Sequence, residues 1–105
     1  MYVKKHFDFL HMLCKCRNNR KHLLRGCNRE QIYAICECSE NVLRGRVKLG
    51  RQQKERLKRH KRTLVTLADP HIRWRQKKDI LQRGSGVLTT LLSVAIPALV
   101  GLFAK

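Results

Sequence analysis

Apolar residues recur along this chain at intervals of three and four, and nowhere alternate at period two for long enough to support a strand. Between residues 4 and 16, Phe7, Leu10 and Cys14 keep that spacing while Phe9, Met12, Leu13 and Cys16 widen the stripe, which predicts a short amphipathic helix. Arg17-Asn18-Asn19-Arg20 breaks the pattern. Lys21 to Arg25 reads as one further helical turn, closed by Gly26 in the left-handed conformation that glycine adopts without a Cβ penalty.

Asn28 followed by Gln31 has the form of a capping box, an acceptor at the cap and an amide three residues on. Behind it Ile32, Ile35, Cys36, Ser39, Val42 and Leu43 form the cleanest helical stripe in the chain, which Gly45 ends. Residues 46 to 50 are a connecting turn or short extended link. A second long helix is expected from about Arg51 to Ala68, burying Leu57, Leu64, Val65 and Leu67. Asp69-Pro70 interrupts it, because proline disfavours helical geometry in the residue before it and suits the first turn of a new helix. A third helix then runs through Ile72, Trp74, Gln76, Ile80 and Leu81 to Gly84. The expected fold is all-α: a small helical domain of three to five short helices with a hydrophobic C-terminal tail, around a thin core of Ile32, Ile35, Val42, Leu57, Leu64 and Leu67. Three stretches follow from the pattern: an N-terminal helical segment (1–26), a basic helical body (27–83) and the tail (84–105).

The tail has the most extreme pattern. From Gly84 to Ala104, 21 consecutive residues carry no charge. As one straight helix this stretch would be about 32 Å long, enough to cross the hydrocarbon of a bilayer. Pro97 would break it, so two short segments, Val87 to Ile96 and Ala98 to Phe103, fit equally well. Three readings stay open: a membrane-inserting segment, a peptide docking in the groove of another protein, and packing against the chain's own helices or sibling copies. The membrane or partner-docking residues are Val87, Leu88, Leu91, Leu92, Val94, Ile96, Leu99, Val100, Leu102 and Phe103.

Lys and Arg number 24 against 7 Asp and Glu in 105 residues, a formal net charge of +17. Such self-repulsion opposes compaction and favours polyanionic partners, nucleic acid first and anionic lipid second. The length limits the chain to one small domain with an appendage. The excess concentrates between Arg44 and Arg83, at Arg44, Arg46, Lys48, Arg51, Lys54, Arg56, Lys58, Arg59, Lys61, Arg62, Arg73, Arg75, Lys77, Lys78 and Arg83, against only Glu55, Asp69 and Asp79 in that span. These are the candidate nucleic-acid contacts. Neutralising phosphates releases condensed counterions, so binding through them should be salt-dependent and indifferent to sequence. Trp74, between Arg73 and Arg75, could stack on a base or lie at a lipid interface, although a lone Trp at a helix start more often anchors packing.

Candidate chemistry adds little. Five cysteines, Cys14, Cys16, Cys27, Cys36 and Cys38, and no apolar run of signal-peptide length ahead of them imply free thiols in a reducing compartment. A zinc site would need Cys14-Lys15-Cys16 or Cys36-Glu37-Cys38 to converge, and helical neighbours at i and i+2 point about 200° apart. Cys36 belongs to the apolar stripe and reads as a small buried hydrophobe. No nucleophile, base and orienting acid stand at a recognisable spacing, and Gly84-Ser85-Gly86 lacks the Lys-Ser/Thr of a phosphate loop. No cofactor, metal site or catalytic residue is assigned, and an enzyme is not expected.

The order of parts resembles a known family. Asn41-Val42-Leu43-Arg44-Gly45, then Gln53 to Lys61, Leu67-Ala68-Asp69, and Ile80-Leu81-Gln82-Arg83-Gly84 with the apolar end are similar to short basic proteins of adintoviruses and Polinton (Maverick) elements, themselves compared with the adenovirus protein X (mu) precursor. Ser85-Gly86-Val87 departs from the glycines followed by phenylalanine common in that family. The resemblance implies a minor virion core protein packaged with double-stranded DNA, located in the virion and the host nucleus. It carries over only the basic stretch and the apolar end. The expected function is therefore non-enzymatic DNA binding and condensation, sequence-nonspecific, with the tail docking on a capsid protein or an anionic membrane, or mediating self-association. Two alternatives of other classes are a membrane-active or membrane-anchored cationic protein and a helical protein–protein adaptor.

Overall fold

A computed structural model of the chain describes residues 2–16, 20–83 and 86–95. Every regular element in them is helical: α1 (Tyr2–Lys5), α2 (Phe7–Lys15), α3 (Arg20–Arg25), α4 (Arg29–Leu43), α5 (Arg51–Lys58), α6 (Lys61–Ala68), α7 (Trp74–Arg83) and α8 (Val87–Thr90), the last running into one π-helical turn, Leu91–Ala95. The all-α class expected from the periodicity is the class observed. The elements are shorter than periodicity alone suggests, because several are cut where the chain must change direction.

The hub is α4, which α1, α2, α6, α7 and the π turn all touch. Its start follows the sequence rule: Asn28 Oδ1 accepts the Gln31 backbone N–H at 2.9 Å, and Gln31 Oε1 accepts the Asn28 N–H at 2.9 Å. Its end is a Schellman motif. Gly45 has φ 69°, its N–H donates to Val42 O and the Arg46 N–H donates to Asn41 O, which satisfies two carbonyls that the helix leaves open. Between these ends Ile32 and Ile35 are fully buried together with Ala34, Cys36 and Cys38, small residues that let neighbours approach from more than one side. Each buried isoleucine contributes about 1.5–3 kcal/mol. Of the six expected core residues, Ile32, Ile35, Leu57, Leu64 and Leu67 are buried, and Val42 is partly so.

Three local expectations are corrected. Gly26 lies outside the left-handed region, and α3 closes instead through hydrogen bonds from the Gly26 N–H to His22 O and the Cys27 N–H to Leu24 O. The long helix over 51–68 is two helices, separated at Arg59–His60. The break lets α5 lie against α8 while α6 packs on α4 and α7; in the same redirected chain Val65 is left half exposed. The third helix begins at Trp74, not near Pro70: Asp69 Oδ1 accepts the His71 N–H at 2.9 Å and Asp69 O accepts the Ile72 N–H, so 69–72 form a turn before it.

Of the tail, residues 86–95 are described. Val87, Leu88, Leu91, Leu92 and Val94 are all buried in the core shared with α2 and α4. Gly86, at φ 88°, turns the chain into α8, and its carbonyl accepts both the N–H and the Oγ1 hydroxyl of Thr90. Within the π turn Leu92 O accepts the Cys14 thiol at 3.4 Å, tying this stretch to α2. These five docking candidates are therefore engaged by the chain's own helices, the third of the open readings. Ile96, Leu99, Val100, Leu102 and Phe103 lie outside the described residues, as do Pro97 and Gly84. No helix among the described residues is long and apolar enough to cross a membrane.

Candidate nucleic-acid interface

Helix α5 has a single buried residue, Leu57, and α6 turns only Leu64 and Leu67 fully inward. Everything else on α5 is polar, so amphipathic folding projects its cations into solvent. Arg46 and Lys48 on the link, Arg51, Lys54, Arg56 and Lys58 on α5, Arg59 between the helices, and Lys61 and Arg62 on α6 are all exposed. Nine cations thus fall within residues 46–62, with Glu55 the one acid in that span. None of the nine makes an ion pair among the described residues.

The structure separates the remaining six candidates. Arg73 and Arg75 are exposed, Arg75 lying 5.5 Å from the centroid of the Trp74 ring. Arg44 and Arg83 are exposed but pair with Glu40 and Asp79, each at 3.0 Å and one helical turn away. Lys78 Nζ donates to Arg25 O at 2.7 Å and to Cys27 O at 3.2 Å, fastening α7 to the end of α3. Lys77 is a correction: it is 4% exposed, with its ammonium 6.0 Å from the centroid of Tyr33, and cannot reach a phosphate from that position. A single amphipathic turn puts it inward, since Lys77 and Leu81 stand four apart on the face of α7 that meets α4. Trp74 is a packing anchor, partly buried against the core and flanked by Arg75 and Lys78.

Four of the thiols, Cys14, Cys27, Cys36 and Cys38, are shifted by burial. Burial pushes Cys27 up to about 11 and Cys36 up to about 12, in each case against a smaller opposing effect of a nearby lysine. Cys38 is raised further by burial. Cys14 is raised by burial and partly offset by Arg20. Cys27 and Cys38 donate to carbonyls of the preceding helical turn, Leu23 O and Ala34 O. All five cysteines are free, and among the described residues no three His, Cys, Asp or Glu side chains are grouped to hold a metal ion.

Periodicity did not reveal one feature. Val47 and Leu49 lie in the link, yet Val47 is buried and both line an apolar groove with α4, α5 and α6. The only signal was two apolar residues two apart in a stretch otherwise read as a connector. Comparison with protein-family models, with curated proteins and with solved structures finds no match.

Proposed function

We propose that this protein is a non-enzymatic binder of double-stranded DNA, gripping the phosphate backbone without regard to sequence. The observation that carries the reading is the run of nine exposed cations in residues 46–62 that hold no carboxylate partner among the described residues. A surface helix in a protein with no polyanionic partner ordinarily interleaves Glu with Lys and Arg, because like charges one turn apart destabilise it. Here Arg51 and Lys54 stand three apart and Lys54 and Lys58 four apart on α5, whose one acid is Glu55. Bound phosphates would relieve the repulsion. The resemblance to small virion proteins extends this reading to DNA packaged in a virus-like particle. Docking to a capsid or membrane through residues 87–94 is no part of the proposal, since those residues serve the core.

The test is the salt dependence of duplex binding. Replacing Lys54, Lys58, Arg59, Lys61 and Arg62 with Gln should lower the slope of log K against log salt by up to about 4 to 5, at about 0.9 for each phosphate that is no longer neutralised. Because all five side chains are exposed, the fold should survive the change. An unaltered slope in a folded variant overturns the reading.

A further inference from the structure

Between the end of α4, the link and the α5–α6 pair lies an open groove of about 650 Å³. Val42, Val47, Leu49, Leu57 and Leu64 form its apolar lining, and Leu43, 38% exposed, stands at its edge. The other side chains lining it are those of Lys48, Lys54, Lys58 and Lys61. Among the described residues no acid, hydroxyl, amide or imidazole side chain lines the groove, so none of them fixes a polar ligand there by directed hydrogen bonds. Its recognition chemistry has two parts: apolar contact and positive charge. The four lysines are exposed and none holds an ion pair among the described residues.

We propose that this groove binds an acidic amphipathic helix of a partner protein. Charge complementarity selects that occupant. The cations are spread over the link, α5 and α6, and a fatty acid with one carboxylate would neutralise only one of the four. A helix with an apolar stripe flanked by carboxylates covers the hydrophobic lining and meets all of them, in the helix-in-groove mode of recognition. Lysine stems lie along apolar surface while their ammonium groups reach outward, which suits both flanks of such a stripe. The same four lysines belong to the cationic face proposed for DNA, so partner helix and duplex would exclude one another. The groove proposal does not rest on the DNA reading, because its binding is measured without nucleic acid.

The experiment uses the full chain and a fluorescein-labelled synthetic peptide of about 18 residues, long enough to hold a helix, with Leu at i, i+3, i+4 and i+7 and Glu on the flanks. A second peptide has the same composition with the leucines dispersed around the helix. Anisotropy at physiological salt should show the patterned peptide binding at least about tenfold more tightly, equivalent to about 1.4 kcal/mol. Lys54→Glu with Lys58→Glu should remove that binding. Leu43→Ser, at a side chain 38% exposed, should weaken the patterned peptide several-fold and leave duplex affinity unchanged. Amide shifts in a titration should centre on residues 42–64. Equal affinity for the two peptides would mean bare charge attraction and would overturn the proposal, as would amide shifts centred elsewhere, or oleate binding in the groove as tightly as the patterned peptide. Patterned-peptide binding by a protein that ignores duplex DNA would sink the DNA reading alone; duplex binding with no peptide preference would sink the groove alone.

Discussion

Leu91→Ala tests whether residues 87–94 belong to the core. Leu91 is 0% exposed and lies at the start of the π turn that packs on α2 and α4. The substitution removes three carbons, about 2.4 kcal/mol of transfer energy at about 0.8 kcal/mol each. A cavity adds to this, since the surroundings include the hydrogen bond from Cys14 to Leu92 O and cannot collapse freely, for a total of about 3–4 kcal/mol. Against a stability of about 5–15 kcal/mol for a domain of this kind, that is a large fraction. Thermal unfolding followed by circular dichroism should show Tm lower by about 12 °C or more, using about 4 °C per kcal/mol for a domain near this size. Urea unfolding should give the same loss from the midpoint with an unchanged slope. Val65→Ala, at a side chain 50% exposed, is the reference and should cost no more than about 0.5 kcal/mol. If Leu91→Ala proves as mild as Val65→Ala, residues 87–94 are not core, and their burial against α2 and α4 is wrong.

Further outcomes follow from the caps, the thiols and the buried lysine. Gly45→Ala should destabilise by about 1–2 kcal/mol in a urea melt, because φ is 69° there and nothing stands within 4 Å of the added methyl; the strain is purely backbone. Asn28→Ala, which removes the acceptor of the α4 cap, should cost about 1 kcal/mol in the same assay. Stability should fall with rising alkalinity partly through Cys36: its thiol ionises at about 9 in the unfolded chain and about 12 in the fold, so the contribution is fully present below pH 9 and lost between 9 and 12. Urea midpoints of wild type and Cys36→Ala between pH 8 and 10.5 check this, the variant showing the shallower decline. Lys77→Met should leave duplex affinity and its salt slope unchanged, whereas Lys58→Gln should lower both; a matching loss from the two would contradict the burial of Lys77.

Much of the architecture was readable from local rules. The Asn28–Gln31 box, the end of α4 at Gly45 and the inward stripe of Ile32, Ile35 and Cys36 depend on residues within one or two turns of each other, and short-range hydrogen bonding and helical period suffice to place them. The concentration of charge in residues 46–62 was legible for the same reason, since composition is local. What no window of sequence could supply is which surface each stripe meets. The split of α5 from α6 at Arg59–His60 arises because α5 rests on α8 and α6 on α4, a choice between distant neighbours. Lys77 turns inward because its side of α7 is the side that packs, although its chemistry marks it for solvent. Residues 87–94 find shelter in the chain itself because α2 and α4 leave an apolar surface open to them, and burial of apolar area depends on what lies opposite in space, a quantity that neighbours in sequence do not carry.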